Sequence, residues 1–178
     1  MPRSAILALL FLAAPAFAGT RFNTPDDDAM KAFRFTTDNV RKATAAARRI
    51  SAEVTKDPAL GLAAEQRGRQ ADTLDAKAKA LESDPRIASI LRAESITARE
   101  FIMVHMAFVQ AGMVAAVKAQ GAPIDAAKIR EAMNPANLEF LEKHPKEMDE
   151  LGRSQDELQN AGKEPGSAPK GPETGKQK

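Results

Sequence analysis

The sequence predicts an all-α protein, a single-domain antiparallel helical bundle organised around one central buried helix. Residues 101–117 are apolar or glycine at every position except His105 and Gln110. A helix that is apolar on nearly every side must be surrounded. Residues 40–54 and 59–81 repeat apolar side chains at helical steps, and no segment alternates between hairpin turns as a strand does. These three observations define the fold class.

Local signals mark the limits of the central helix. Thr97 and Glu100 match a capping box, in which each side chain bonds the backbone N–H of the other residue. Gly121 and Pro123 predict the end of the helix, because glycine accepts a left-handed backbone and proline cannot continue the helix. The apolar run spans about 25 Å, which is shorter than the roughly 30 Å hydrocarbon core of a bilayer. We therefore expect protein, and not lipid, around this helix.

The other helices follow from apolar spacing and from proline positions. Thr36 and its neighbours supply N-cap residues for a helix with one buried stripe, formed by Val40, Ala43, Ala47, Ile50 and Val54. A second long helix is predicted over 59–81. Shorter helices should restart at Asp84-Pro85 and at Asn134-Pro135, with the polar residue as N-cap and proline at the first helical position. Short connections between such helices predict antiparallel neighbours.

The two ends of the chain differ from the bundle. Arg3, the apolar stretch 5–13 and Ala16-Phe17-Ala18 match a signal peptide that is cleaved after Ala18, which leaves 178 − 18 = 160 residues. The chain is therefore predicted to comprise a signal peptide at 1–18, a helical bundle at 19–158 and a tail at 159–178. The tail is rich in Gly, Pro and Lys, and we expect it to be disordered because no apolar residues recur in it. The expected location is the periplasm or the medium.

Composition excludes several classes of function. The chain has no cysteine, so a disulfide framework, a thiol nucleophile and a lipoprotein anchor are excluded. Without Arg3 the mature chain holds 26 − 1 = 25 basic and 24 acidic residues, a balance that argues against a general nucleic-acid binder. The chain also lacks Trp and Tyr, which anchor many protein interfaces and stacking sites.

A basic side is predicted on the helix that carries the Val40 stripe. Its members lie largely off that stripe and are Arg41, Lys42, Arg48, Arg49 and Lys56. A solvated helix face is the favoured interpretation. Contact with anionic lipid or with a cell-wall component is the alternative.

His105 is the most informative single residue. On a helical wheel it shares a stripe with Phe101, Phe108 and Gly112. The favoured interpretation is a buried neutral histidine with one or two hydrogen bonds. The alternative is an axial ligand of a b-type haem in the bundle core, with a methionine or a second histidine opposite.

Methionines gather on another side of the same helix. Flexible thioethers fill irregular gaps in a core, and the same residues suit a groove for an apolar ligand or a partner helix. The candidate ligand-binding residues are therefore His105, Phe101, Phe108, Gly112, Met103, Met106, Gln110 and Met113.

Catalytic and metal-binding patterns are missing from the sequence. His105 and His144 are preceded at the third position by Ile102 and Leu141, so neither belongs to the Glu-x-x-His pattern of di-iron bundles. No spaced ligand cluster predicts zinc, and no Gly-x-Ser-x-Gly elbow or phosphate-binding loop is present. We expect no enzyme activity and no metal apart from the haem alternative.

These observations predict a small exported helical bundle that works by binding a protein or an envelope component. We do not expect the protein to bind nucleic acid, and we expect no membrane span in the mature chain. The oligomeric state stays open. The alternative function is a carrier of a small apolar ligand or a b-type haem with its site beside His105.

Overall fold

The structure is a computed structural model that describes residues 24–121, 129 and 133–161. Within these ranges the chain forms eight helices and no strand, which confirms the all-α class. The helices are α1 (Thr24–Ala32), α2 (Thr37–Lys56), α3 (Pro58–Arg69), α4 (Leu74–Glu82), α5 (Pro85–Ala93), α6 (Ala98–Ala119), α7 (Pro135–Lys143) and α8 (Pro145–Asn160). The predicted signal peptide and most of the predicted tail lie outside the described residues.

Helix α2 begins and packs as the sequence predicts. The Thr36 hydroxyl accepts the backbone N–H of Asn39 at 3.1 Å, and the Asn39 side chain accepts that of Thr36 at 2.9 Å. This capping box satisfies two of the N–H groups at the helix start that lack a partner within the helix. Every residue of the predicted apolar stripe is at most 2% exposed. Helix α2 packs against α3, α5, α6 and α8.

The prediction of one continuous helix over 59–81 is wrong, because two helices, α3 and α4, occupy this range. The Lys77 ammonium donates to the carbonyl of Ala71 at 2.6 Å, just beyond the end of α3. The Asp26 carboxylate of α1 accepts the Leu74 N–H at 2.9 Å, where α4 begins. The Lys77 cation thus lies at the C-terminal end of α3, and the Asp26 anion lies at the N-terminal end of α4. The helix dipole stabilises a charge of that sign at each of these ends. Thr73 caps α4 by accepting the N–H of Ala76.

Gly61 allows α3 to pack closely against α2. A Cβ atom at this position would lie 2.8 Å from Cγ1 of Val54, a side chain that is itself 2% exposed. Glycine lowers helix propensity by about 1 kcal/mol relative to alanine, and at Gly61 close packing explains why it is present.

Helices α2 and α8 run side by side in the same direction. Near their starts, the rings of Phe35 and Phe140 are 5.7 Å apart, and the Phe140 ring stacks on His144 at 4.1 Å. Near their ends, Ser51 Oγ donates to the Glu157 carbonyl at 3.0 Å. The predicted antiparallel arrangement therefore does not extend to this pair. No short turn connects the two helices, so the rule for sequential neighbours does not apply to them.

Asn137 fixes the start of α7 against the connection between α1 and α2. Its side chain is 1% exposed, accepts the Phe35 N–H at 2.8 Å and donates to the Phe33 carbonyl at 3.1 Å. Both backbone groups lie outside the helices and need partners when buried. One amide therefore joins segments that are more than 100 residues apart in the sequence.

Helix α6 is enclosed by protein along its first half only. Thr97 accepts the N–H of Glu100 at 3.1 Å, which is one of the two hydrogen bonds of the predicted capping box, and the chain turns at Gly121 with a φ of 73°. The buried residues end at Ala111, whereas Met113 is 38% and Val117 43% exposed. The expectation that the helix is surrounded as far as Val117 is therefore wrong for its last turns.

Among the described helices, α6 alone has the length and apolar composition that a membrane span requires. A core helix has the same properties, and the first half of α6 lies in the core. This agrees with the prediction that the mature chain has no membrane span.

Candidate functional site

His105 lies in the core and is only 2% exposed. Its Nδ1 lies 2.8 Å from the carbonyl oxygen of Phe101, one helical turn earlier, and the centroids of the two rings are 4.4 Å apart. The carbonyl can only accept, so Nδ1 carries the proton in the neutral ring. Nε2 then presents a lone pair, and this buried atom has no hydrogen-bond partner among the described residues.

Burial controls the charge of this histidine. The loss of water around the ring lowers the pKa of His105 to about 4, although the hydrogen bond to the Phe101 carbonyl acts in the opposite direction. His105 is therefore neutral at physiological pH, with a proton on Nδ1 and an unused acceptor on Nε2. A histidine that binds a metal through Nε2 has this tautomer, because Nδ1 then donates to a carbonyl or a carboxylate.

The predicted ligand-binding residues are not gathered around one opening. Phe101 and Met106 are buried with His105, and Met103, Phe108, Gln110 and Gly112 are half-buried. Met113 is exposed. A Cβ atom on Gly152 of α8 would lie 3.3 Å from Cζ of Phe108, so the Phe108 ring packs against the backbone of α8. A ligand site beside His105 stays a prediction.

The last turns of α6 present an apolar surface that includes Gly112 and Met113 of the predicted ligand-binding set. We call it the α6 outer face, and it consists of Val109, Gly112, Met113, Ala116 and Val117. A Cβ atom on Gly112 would have no neighbour within 4 Å, so the face is open at its centre. Lys118 lies next to it and is paired with Glu142 of α7 at 2.8 Å. Because apolar residues continue around the whole helix, no polar stripe in the sequence marks this exposed side.

The basic side of α2 is largely neutralised. Arg41 and Lys42 both bind the carboxylate of Asp38. Arg49 pairs at 2.7 Å with Glu94, which lies in the turn between α5 and α6. Lys56 pairs with Glu53 at the same distance. Only Arg48 of the predicted set has no ion pair among the described residues. These pairs favour the solvated-face interpretation over a binding surface for anionic lipid.

A groove of about 460 Å³ lies between α2 and α5. Its lining combines the apolar residues Ala52, Pro85 and Ile90 with the polar residues Arg49, Glu53, Arg86 and Ser89. Arg86 pairs with Asp57 at 2.8 Å and with Asp84 at 3.3 Å. These hydrogen bonds raise the pKa of Arg86, and the one to Asp57 lowers the pKa of that carboxyl group. None of the groove residues belongs to the set predicted around His105.

No cluster of three or more His, Asp or Glu side chains in the described ranges is arranged to hold a metal ion. The bundle and its surfaces define the class of protein as an all-α helical bundle whose central helix is only half enclosed. Comparison with family models, with curated proteins and with solved structures found no match to this chain.

Proposed function

We propose that this protein is an exported, non-catalytic binding module of the cell envelope that binds a partner protein through the α6 outer face. The observation that carries the proposal is the exposure of Met113 (38%) and Val117 (43%) on a helix whose first half is in the core. These are the two large apolar side chains that are exposed among the described residues. Clustered apolar exposure is typical of a surface that a partner covers.

The shape of the face suits an apolar helix. Gly112 and Ala116 are four residues apart and therefore lie next to each other on the helix surface. The open space beside Gly112 allows the backbone of a second helix to approach closely. Met113 lies beside them, and its unbranched thioether adapts to an irregular partner surface. Export rests on the predicted signal peptide at 1–18.

Site-specific photocrosslinking in cells of the source organism tests this function. A photoreactive residue in place of Met113 should give a covalent adduct of one defined mass, which mass spectrometry then identifies. The same residue in place of Lys79, which is exposed on α4, is the matched control. Val117→Glu should abolish the adduct, because a carboxylate cannot be buried without a partner.

Two results would contradict the proposal: equal adducts from positions 113 and 79, or an adduct that is unchanged by Val117→Glu. The fold of each variant is checked by circular dichroism. An adduct of twice the mass of the mature chain would identify the partner as a second copy.

A haem or small apolar ligand carrier is the second candidate, and the free Nε2 of His105 favours it. Because the ring is 2% exposed, a ligand has to separate α6 from its neighbours to reach this atom. Titration of the purified protein with haemin tests the candidate. A carrier should show a saturable Soret band that is lost in His105→Ala, and the absence of a band would exclude haem binding.

A further inference from the structure

Two buried acceptor atoms, one on α6 and one on α8, have no hydrogen-bond partner among the described residues. They are Nε2 of His105 and Oε1 of Gln155, whose residues are 2% and 6% exposed. The proton of the neutral imidazole is on Nδ1, so Nε2 can only accept, and an amide oxygen can only accept as well. Burial without a partner costs free energy, so each of these atoms needs a donor.

Helices α6 and α8 run in opposite directions. Glu94, just before α6, pairs with Arg49 in the second half of α2. Lys118, in the last turn of α6, pairs with Glu142, which is three residues before the start of α8. Because α2 and α8 run in the same direction, α6 is antiparallel to both helices.

The contact between Phe108 and Gly152 sets the register of α6 against α8. Cζ of Phe108 lies 3.3 Å from the place of a Cβ atom on Gly152. His105 precedes Phe108 by three residues, and Gln155 follows Gly152 by three residues. Residues three apart lie on the same side of a helix, and in an antiparallel pair these two steps lead in the same direction. His105 and Gln155 therefore lie opposite each other in the interface.

Two acceptors that face each other cannot form a hydrogen bond, so a donor has to lie between them. The hydroxyl groups of Ser51 and Ser154 donate to backbone carbonyls, and that of Thr44 bonds neither atom. A water molecule has two donor hydrogens, one for each acceptor. Buried waters in proteins typically bind polar groups that otherwise lack partners, and they bridge polar groups that are too far apart for a direct bond.

We propose that a water molecule is bound between α6 and α8, where it donates one hydrogen to Nε2 of His105 and the other to Oε1 of Gln155. This water satisfies both buried acceptors and connects the two helices in the enclosed half of α6. The site uses no residue of the α6 outer face, so it does not depend on the proposed function. A haem at His105 would have to displace the water, because both use the same lone pair.

Nuclear Overhauser spectroscopy of the isotope-labelled protein tests the proposal. The proton on Cε1 of His105 is adjacent to Nε2, and it should give a cross-peak at the frequency of water. The cross-peak should have opposite signs in the laboratory-frame and rotating-frame experiments, because the bound water stays longer than the protein takes to tumble. A hydroxyl proton that exchanges with water gives the same sign in both experiments.

Gln155→Met and Gln110→Met form a matched pair of variants. Each replaces an amide whose Oε1 has no partner by an unbranched apolar side chain of similar length. Gln110 follows His105 by five residues and so projects from a different side of α6. Gln155→Met should remove the water cross-peak at His105, because a buried water needs at least two polar partners. Gln110→Met should retain the cross-peak, and amide chemical shifts verify the fold of both variants.

Three outcomes would overturn the proposal: no water cross-peak at His105, a cross-peak that persists in Gln155→Met, or loss of the cross-peak in both variants. A fourth concerns the amide itself. A cross-peak from the side-chain NH2 protons of Gln155, in place of the one from water, would show that the amide donates directly to Nε2.

Discussion

Phe101→Ala is expected to lower the free energy of unfolding by about 3–5 kcal/mol, the range for deletion of a buried phenylalanine ring. Phe101 is 3% exposed and its ring packs against that of His105. Alanine removes this contact and leaves a cavity in the enclosed half of α6. Urea denaturation followed by circular dichroism gives the change in unfolding free energy.

Phe108→Ala is the matched control for this prediction. Phe108 lies on the same helix but is only half-buried, with its ring against Gly152. Less apolar area is returned to water and the cavity opens towards the surface, so a smaller loss of stability is expected. A larger effect for Phe108 than for Phe101 would mean that the enclosed part of α6 is placed wrongly.

Helix ends were the most predictable part of the fold, because local chemistry determines them. Asp84 and Asn134 cap α5 and α7, and a proline follows each as the first helical residue. Thr36 caps α2 in the same local manner. These signals need only a few adjacent residues, so the sequence alone reveals them.

Long-range contacts were not predictable from the sequence. The break between α3 and α4 is stabilised by Asp26 of α1, which is 48 residues away from Leu74. The common direction of α2 and α8 depends on contacts such as Ser51 to Glu157, over 106 residues. Neither contact has a local pattern, so spacing alone suggested one long helix and antiparallel neighbours.

The sequence predicted which residues of the candidate site are buried in the first half of α6, but not which residues of its last turns are exposed. Apolar periodicity correctly predicted the burial of His105 and Phe101. It did not separate these residues from Met113 and Val117, because the helix is apolar on every side and exposure depends on where neighbouring helices end. The groove between α2 and α5 was missed for the same reason, since each helix supplies only half of it.

Acid is expected to destabilise the protein through His105. The folded pKa of about 4 lies below the value of about 6.5 that is usual for an unfolded chain. Between these two pH values the unfolded state binds a proton at His105 that the folded state does not bind. The free energy of unfolding should therefore be unaffected by this group above about pH 6.5 and decrease as the pH falls towards 4. The difference between the two pKa values corresponds to a total loss of about 3 kcal/mol.

Unfolding free energies of the wild type and of His105→Leu, measured from pH 7 to pH 4, check this prediction. Leucine removes the titrating group, and the Phe101 carbonyl keeps its helical backbone hydrogen bond from residue 105. The variant should therefore lose less stability than the wild type over this range. Parallel curves for the wild type and His105→Leu would show that burial does not lower the pKa of His105, and would contradict the prediction.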